Sequence, residues 1–485
     1  MLWYQNPLNY SFIFLPGKFE HYSSLNDMMT IPPPSPDSDI EPSWMQLLFA
    51  SAHASACFAL ACLEPIGKNL RAYSSFVDPK GKAMTWHDFG CLEGPGWAAN
   101  AIGGAHLLWK WGHYLENSEL QESARRIVFH ILEDGFVRPD GLVFPYFHLK
   151  KETFCLNYTH NDDWLCPGSL ARIGVQMVEF SDENIEDDLS AALRRTASQL
   201  SSWLTSHVPL LPNGWVPRRI TPQGQPYSLS PSGGSDPIFM QSADGLSLLQ
   251  LYLLTGKEEP AFQLGKAFID QGGFWGSINH DTFDFHENVA YAVAFRVLRQ
   301  AAEKLHMTEW RDFAYQQALD EMSKFRLTQN IHGVYTQGLF FMEKSWDTAY
   351  LWENAEVAQA FLEAWQETSN AEYCQIALDV LKAIACHHYG DQGFLTEGVD
   401  WNNHVGQRHH INYDYYGAIR YTEPLLNNLH LLLPTLTYFR AVNYDAPLEQ
   451  FGIQSPLLDH QSKVIQLLSN YQHNLSIFLF QPGLP

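Results

Sequence analysis

Basic residues are scarce in this chain of 485 residues. Lysine and arginine together number 30, against 53 aspartates and glutamates, and the formal net charge is −23. A charge of that sign and size repels the phosphates of nucleic acids and of anionic lipids. We therefore expect neither nucleic acid nor a membrane surface as a partner.

Cysteine is also rare. Seven cysteines without regular spacing do not form a disulfide framework, and they predict reduced, mostly buried thiols in a cytoplasmic protein. The sequence has no compact Cys/His cluster with the spacing of a metal site, no phosphate loop and no dinucleotide fingerprint. We expect no metal and no other cofactor.

Charged residues make up only 17% of the chain and hydrophobic residues 46%, a balance that supplies ample apolar surface for a core. The segment Trp44–Leu63 carries no charge at all and is long enough to span a bilayer. Because Gln46, Ser51 and His53 interrupt it, we predict a buried core helix instead of a membrane span.

Hydrophobic periodicity near 3.6 residues predicts about twelve helices. They begin near residues 44, 97, 121, 165, 187, 241, 259, 287, 308, 349, 371 and 422. This pattern divides the chain into a disordered or irregular extension at 1–43, a helical domain at 44–440 and a C-terminal extension packed on it at 441–485.

The links between these helices alternate between short and long. Most long links contain a glycine followed by apolar or aromatic residues, and these glycines recur at intervals of roughly 60 residues, which indicates an internal repeat. They are Gly141, Gly214, Gly273, Gly333 and Gly393.

Repeated helical hairpins bury their apolar stripes against one another. Six hairpins can close into a double-layered ring, with all long links on one face. We predict an all-α fold of this kind, an (α/α)6 toroid, and an open superhelix is the structural alternative.

Acidic residues recur near the helix starts that follow the long links, often beside an aromatic residue. Capping and the helix dipole alone favour acids there. A carboxylate beside an aromatic ring also suits a sugar, because it binds hydroxyls while the ring covers the C–H face. The predicted substrate-binding residues are Glu93, Trp97, Trp164, Asp244, Trp352, Asn354 and Trp401.

Cleavage of a glycosidic bond needs one protonated and one ionised carboxyl group on opposite sides of the bond. Asp163 and Glu353 are the first candidates, and Glu287 is the third. Asp162, directly before Asp163, joins them because adjacent carboxylates push their pKa values apart.

Histidine supports a different chemistry. There are 21 histidines, and a pair facing a pocket can remove and return a proton at a sugar carbon. His286 and His404 are the candidates for such an epimerisation or isomerisation.

The stretch from Trp352 to Asn402, with its helix, Thr-Ser-Asn turn, second helix and Gly393-Phe394 loop, resembles the repeat of toroidal glycoside hydrolases and of N-acylglucosamine 2-epimerase-like proteins. Asp162-Asp163-Trp164 is similar to the paired aspartates of α-1,6-mannanase-type hydrolases, although the following Cys166-Pro167-Gly168 departs from their aromatic-rich continuation. The resemblance implies an (α/α)6 toroid that acts on carbohydrates.

These observations predict a carbohydrate-active enzyme, foremost a glycoside hydrolase that uses two carboxylates. A sugar epimerase that uses histidines is the alternative within enzymes. A toroid that binds sugar without turnover is the alternative outside them. The sequence leaves the sugar, the linkage and the oligomeric state open.

Overall fold

The computed structural model describes residues 44–71, 76–85, 88–96, 100–158, 163–227, 241–276, 286–332, 334–343, 348–389, 393–401, 419 and 421–444. The predicted extension 1–43, and all of the predicted extension 441–485 beyond residue 444, lie outside this part of the chain.

Twelve helices form within the described residues. They are α1 (Trp44–Ala61), α2 (Asn100–Tyr114), α3 (Ser118–Glu133), α4 (Pro167–Ser181), α5 (Asp187–His207), α6 (Gly245–Leu254), α7 (Glu258–Asp270), α8 (Asn288–Leu305), α9 (Thr308–Phe313, continued by Ala314–Leu319, Asp320–Met322 and Ser323–Phe325), α10 (Leu351–Thr368), α11 (Ala371–Ala385) and α12 (Leu432–Ala441).

The even-numbered helices form a closed inner ring. Going round it, α2 packs on α4, α4 on α6, α6 on α8, α8 on α10, α10 on α12, and α12 on α2 again. Each of α3, α5, α7, α9 and α11 folds back on the inner helix before it, and α1 completes the outer layer against α11 and α12. The predicted (α/α)6 toroid is confirmed.

Short links within the hairpins follow from capping side chains. Asn117 accepts hydrogen bonds from the backbone N–H groups of Glu119 and Leu120 at the start of α3, and Asn370 does the same for Glu372 at the start of α11. These caps satisfy N–H groups that a helix leaves without partners. They allow the chain to reverse within a few residues.

The twelfth helix begins at Leu432, about ten residues later than the apolar pattern predicted. The preceding residues form a run of turns instead of a helix. Within that run the Asn428 side chain accepts a hydrogen bond from the backbone N–H of Leu395 at 2.9 Å. This side chain ties the segment to the link that contains Leu395.

Helix α1 is the one described helix long and apolar enough to cross a membrane. In the ring it is buried without a break from Leu47 to Ala59. A helix that is apolar on all sides needs such a position, so the prediction of a buried core helix is confirmed. All seven cysteines lie in described segments, and none of them forms a disulfide.

Short strands stiffen the long links. They are β1 (Glu64–Ile66), β2 (Asn69–Arg71), β3 (Leu92–Glu93), β4 (Tyr146–His148), β5 (Thr153–Cys155), β6 (Thr348–Tyr350), β7 (His388–Tyr389), β8 (Phe394–Leu395) and β9 (Gly398–Asp400). All their pairings are antiparallel, in the orders β1-β2, β3-β4-β5, β6-β9 and β7-β8.

A tight turn of the form x-Pro-x-Gly recurs in the long links. In each, the glycine has a positive φ and its N–H donates to the carbonyl three residues earlier, which is the geometry of a type I turn closed by a left-handed glycine. The turns are Asp78–Gly81, Arg138–Gly141, Leu211–Gly214 and Thr221–Gly224.

Two turn glycines also permit a close approach to the next outer helix. A Cβ on Gly141 would lie 2.9 Å from the carbonyl oxygen of Gln199 in α5, and one on Gly393 would lie 2.6 Å from that of Ala54 in α1. At these two positions the glycine therefore marks where a link rests on the following hairpin. Gly333 lies outside the described residues.

Candidate active site

The long links lie together on the face where the inner helices begin. Backbone bridges join successive links: Val77 pairs with Thr422, Leu165 with Ile220, and Glu287 with Glu343. Strand β6 pairs with β9 in the same way, and Leu351 at the start of α10 donates to the carbonyl of Glu397. Side chains at the starts of the inner helices therefore surround one mouth.

Charged side chains meet across the inner ring below this mouth. Arg172 of α4 and Glu356 of α10 belong to helices on opposite sides of the inner ring, yet their side chains meet at 2.7 Å. Arg296 of α8 also pairs with Glu356, and Nε2 of His430 lies 3.5 Å from the same carboxylate. We call these four residues the floor.

The floor holds Glu356 as a carboxylate. Burial alone would raise the pKa of Glu356, but Arg296 and Arg172 lower it well below its ordinary value. Two arginines converging on one buried carboxylate compensate the cost of desolvating it. The sequence did contain a signal for Glu356. Glu353 and Glu356 lie three residues apart in a helix whose other residues there are mostly apolar.

Four acidic side chains with no solvent exposure lie at the mouth beside α8 and α10. They are Glu287, Glu343, Glu353 and Asp400, and Asp400 is paired with Thr348 of β6 directly before α10. Glu287 and Glu343 are directly opposite each other in an antiparallel bridge, which places both side chains on the same side of it. Glu353 is one helical turn above Glu356, so it lies at the mouth end of the lumen.

Asparagines fix the backbone around these carboxylates. Asn288 donates to the carbonyl of Phe340 at 3.2 Å, and Asn354 donates to the same carbonyl at 3.0 Å. The Asn354 side chain also accepts from the Phe340 N–H at 2.7 Å. Each asparagine directly follows Glu287 or Glu353, so it positions the carboxylate's helix against the segment that carries Glu343.

Asp244 lies directly before α6 and is 7% exposed. Burial raises the pKa of Asp244 to about 7, while Arg218, Arg172 and the backbone N–H of Ser169 act in the opposite direction. Arg172 therefore acts on two carboxyl groups: Asp244, which holds a proton up to neutral pH, and Glu356, which does not.

Trp164 is buried below the surface of the same region. The Arg219 guanidinium lies over its ring at 4.8 Å, and Asn157 donates to its backbone carbonyl at 2.8 Å. Asp163, the residue before it, is exposed on a turn. The structure thus separates two neighbours that the sequence placed together as a carboxylate and a sugar platform.

Glu93 points away from the other acids. Its carboxylate pairs with Nε of Arg71 at 2.7 Å, and it lies 3.4 Å from Nε2 of His130, which belongs to the outer helix α3. His286 is exposed, and its ring is hydrogen-bonded to the Tyr291 hydroxyl.

The two remaining tryptophans lie in the region of the floor and of β9. The ring of Trp352 is 5.8 Å from that of His430. Trp401 directly follows β9, and its carbonyl is 3.3 Å from Nδ1 of His332. Asp162, Trp97 and His404 lie outside the described residues. No described group of three or more His, Cys, Asp or Glu side chains is arranged to hold a metal ion.

Comparison with solved structures finds toroids of carbohydrate enzymes. A cellobiose 2-epimerase from Spirochaeta thermophila superimposes with a TM-score of 0.54 at 16% identity, over 84% of this chain and 100% of that one. A D-mannose isomerase gives 0.55 at 13% identity, over 82% and 99%. A GH76 alpha-mannanase from Bacteroides thetaiotaomicron gives 0.52 at 11%, over 82% and 97%.

The likeness shows the fold. At these identities it carries no residue from one protein to another, and the matched proteins differ in what they catalyse. No protein-family model matches the sequence, and no curated protein matches it. The reaction that this mouth supports therefore has to be inferred from the side chains of this chain.

Proposed function

We propose that this protein is a carbohydrate-active enzyme, and specifically a glycoside hydrolase that uses Asp244 as its proton donor. The proposal rests on two buried carboxyl groups at the starts of inner helices: Asp244 directly before α6, whose pKa burial raises to about 7, and Glu353 in the first turn of α10. A carboxyl group with a raised pKa is suited to the role of proton donor in such enzymes.

Glu356 itself is held by two arginines and a histidine, which makes it part of the floor and not a reacting group. Glu353, one turn nearer the mouth, is the carboxylate on the same face of α10. We assign Glu353 the base or nucleophile role and keep Glu287 and Glu343 as the other candidates.

In the reaction, the Asp244 carboxyl group gives its proton to the glycosidic oxygen as the bond from that oxygen to the anomeric carbon breaks. Water supplies the hydroxyl group that the anomeric carbon gains, and its proton goes to the carboxylate. Glu353 then releases this proton to solvent, and Asp244 takes up a proton from solvent. Both carboxyl groups thereby return to their starting states.

A second candidate function is sugar epimerisation or isomerisation. The observation in its favour is His430, which lies at the floor between the Trp352 ring and the Glu356 carboxylate. Imidazole there is suited to moving a proton at a sugar carbon.

One incubation distinguishes these functions. The purified protein is mixed in deuterated water with a panel of oligosaccharides and free sugars, and the products are analysed by mass spectrometry. Shorter chains support the hydrolase, whereas carbon-bound deuterium in sugars of unchanged length supports the epimerase. Binding without either product would contradict both and indicate a non-catalytic toroid.

A further inference from the structure

The start of α4 lies unusually close to the residue that precedes α6. Gly168 is the second residue of α4, and a Cβ built on it would lie 2.3 Å from Cγ and 2.4 Å from Oδ2 of Asp244. It would also lie 2.3 Å from the backbone carbonyl oxygen of Asp244. The Asp244 carboxyl group therefore occupies the space that any other residue at position 168 would need for its side chain.

Helix formation does not explain a glycine at this position. Glycine is the least favourable residue in a helix apart from proline. The segment Cys166–Gly168 is also where the sequence departs from the aromatic-rich continuation of the hydrolases that it resembles. The close approach of Asp244 gives this departure a physical reason.

The Asp244 carboxyl group is also hydrogen-bonded to the start of α4. The backbone N–H of Ser169 donates to it, whereas the side chain of Cys166, directly before α4, makes no capping hydrogen bond. A helix leaves its first N–H groups without partners inside the helix, and a side-chain oxygen can accept from them. Asp244 therefore caps α4 from the neighbouring hairpin.

This hydrogen bond is compatible with a proton on Asp244. A protonated carboxyl group has one O–H donor and keeps lone pairs that accept. The Ser169 N–H can therefore hold one oxygen in place while the other oxygen carries the proton that the proposed reaction transfers. The position of that proton then depends on the contact with the first turn of α4.

The backbone that carries Asp244 is fixed on its other side. A Cβ on the next residue, Gly245, would lie 2.6 Å from the ring of Trp215, and the Trp215 indole donates to the carbonyl of Ser242 at 2.9 Å. The segment before α6 therefore has no space in which to withdraw from Gly168. A larger residue at position 168 can be accommodated only if the Asp244 carboxyl group and the first turn of α4 move apart.

We infer that Gly168 is a positioning residue for Asp244, because the absence of a side chain at this place lets the carboxyl group lie against the first turn of α4. This inference rests on the proposed function, since the group that Gly168 positions is the proposed proton donor. Gly168 acts through Asp244 and needs no contact with the sugar.

Four variants of the whole protein test this role: Gly168→Ala, Asp244→Asn, the double variant and Gly103→Ala. Gly103 lies in the inner helix α2, and a Cβ there would lie no closer than 3.4 Å to another atom, in the Gln176 side chain, so its variant is the matched control. Urea denaturation measures the free energy of unfolding at pH values between 3.8 and about 7. The value of kcat is measured on an oligosaccharide that the wild type cleaves.

The stability measurement needs no substrate. The wild type should lose stability as the pH rises through this range, because burial raises the pKa of Asp244 in the folded protein. In Gly168→Ala the displaced carboxyl group should titrate nearer its ordinary pKa, so this loss should be smaller, as in Asp244→Asn. Gly103→Ala should keep the wild-type dependence. A Gly168→Ala protein that also keeps it would overturn the inference.

The kinetic measurement concerns the proposed reaction. We expect Gly168→Ala to lower kcat by about 10- to 100-fold, because a small misplacement of a reacting group is costly, and Gly103→Ala to retain it. In the Asp244→Asn background the same substitution should change kcat by less than about 2-fold, since residues that act through one another are not additive. Full additivity of the two substitutions would contradict the inference.

The outcomes separate this inference from the proposed function. A wild type that cleaves no oligosaccharide, together with an altered pH dependence of stability in Gly168→Ala, would contradict the hydrolase and support the positioning of Asp244. If Gly168→Ala does not fold, amide hydrogen exchange in Asp244→Ala decides. Exchange of the Ser169 N–H should be at least about 10-fold faster than in the wild type, the usual effect of one lost hydrogen bond. An unchanged exchange rate would overturn the inference.

Discussion

The two sides of the mouth differ in charge. Beside α4 and α6, the buried residues are Arg218 and Arg219, and the carboxyl group with them, Asp244, has a pKa near neutrality. Beside α8 and α10, the buried acidic residues are Glu287, Glu343, Glu353, Glu356 and Asp400. Burial at one mouth therefore accommodates arginines on one side and a cluster of acids on the other.

The largest effect should come from the acidic side. Glu353→Gln removes the proposed base or nucleophile, and we expect kcat to fall by about 1,000-fold. Glu303→Gln, an exposed change on α8, is the matched control and should retain full activity. A Glu353→Gln protein with more than a tenth of wild-type kcat would remove Glu353 from the mechanism.

A substitution in the floor should lower the free energy of unfolding, and not only the catalytic rate. Glu356→Gln leaves Arg172 and Arg296 without their shared carboxylate, and we expect a loss of about 3–5 kcal/mol in the free energy of unfolding, measured by urea denaturation. The exposed pair partner Glu122, which binds Arg125 at 3.0 Å, provides the contrast, because Glu122→Gln should cost less than about 1 kcal/mol.

The stability due to Glu356 should also depend on pH. Its pKa in the folded protein is lowered from the ordinary value of 4.5, so its contribution is complete above that value and decreases as the pH falls toward the folded pKa. Glu356→Gln should lose this part of the acid sensitivity. An unchanged dependence of unfolding on pH below 4.5 would contradict the role assigned to the floor.

Asp244→Asn sharpens the comparison at the cationic side. We expect kcat to fall by about 100-fold because the proton donor is lost. Wild-type activity should decrease above about pH 7, and the residual activity of the variant should not show this decrease. Wild-type activity that stays constant from pH 6 to 9 would exclude Asp244 as the donor, because its pKa of about 7 lies in that range.

The stability effect of Asp244 has the opposite sign to that of Glu356. The folded protein keeps the Asp244 proton up to about pH 7, whereas the unfolded chain releases it near 3.8. The wild type should therefore lose stability as the pH rises between these values, and Asp244→Asn should lose less of it. Thermal melts of both proteins at a series of pH values measure the difference.

A glycine of a long link should respond to substitution differently from a glycine of a short link within a hairpin. Gly393 and Gly256 have nearly the same φ, +78° and +76°, but only a Cβ at Gly393 would overlap another atom, 2.6 Å from the Ala54 carbonyl. Alanine should cost about 1–2 kcal/mol at either position for the left-handed backbone. At Gly393 it should cost about 1–3 kcal/mol more for the overlap, and equal losses in urea denaturation would contradict the close contact.

Much of the fold was predictable because periodicity is local. Alternating short and long links, with a glycine in most long links, predicted six hairpins. The recurring x-Pro-x-Gly turns, including Asp78–Gly81 and Thr221–Gly224, were also visible in the sequence, although the interval between glycines did not reveal them. The late start of α12 at Leu432 was missed because apolar periodicity does not distinguish a helix from the run of turns that precedes it.

The site was less predictable because side-chain direction depends on contacts between distant segments. A carboxylate at a helix start can point into the lumen, as the position of Glu353 above Glu356 indicates, or away from it, as Glu93 does with Arg71. Arg172 was missed because a single basic residue has no pattern. Glu343 was missed because it lies within a long link. The assigned roles remain predictions.

Because Arg172 and Glu356 meet across the ring, a polymer cannot pass through the ring along its axis without separating this pair. We expect a substrate that enters at the mouth to leave by the same route before the next molecule arrives. This expectation rests on the proposed function, and it predicts single encounters with small sugars or chain termini instead of continuous travel along a polysaccharide.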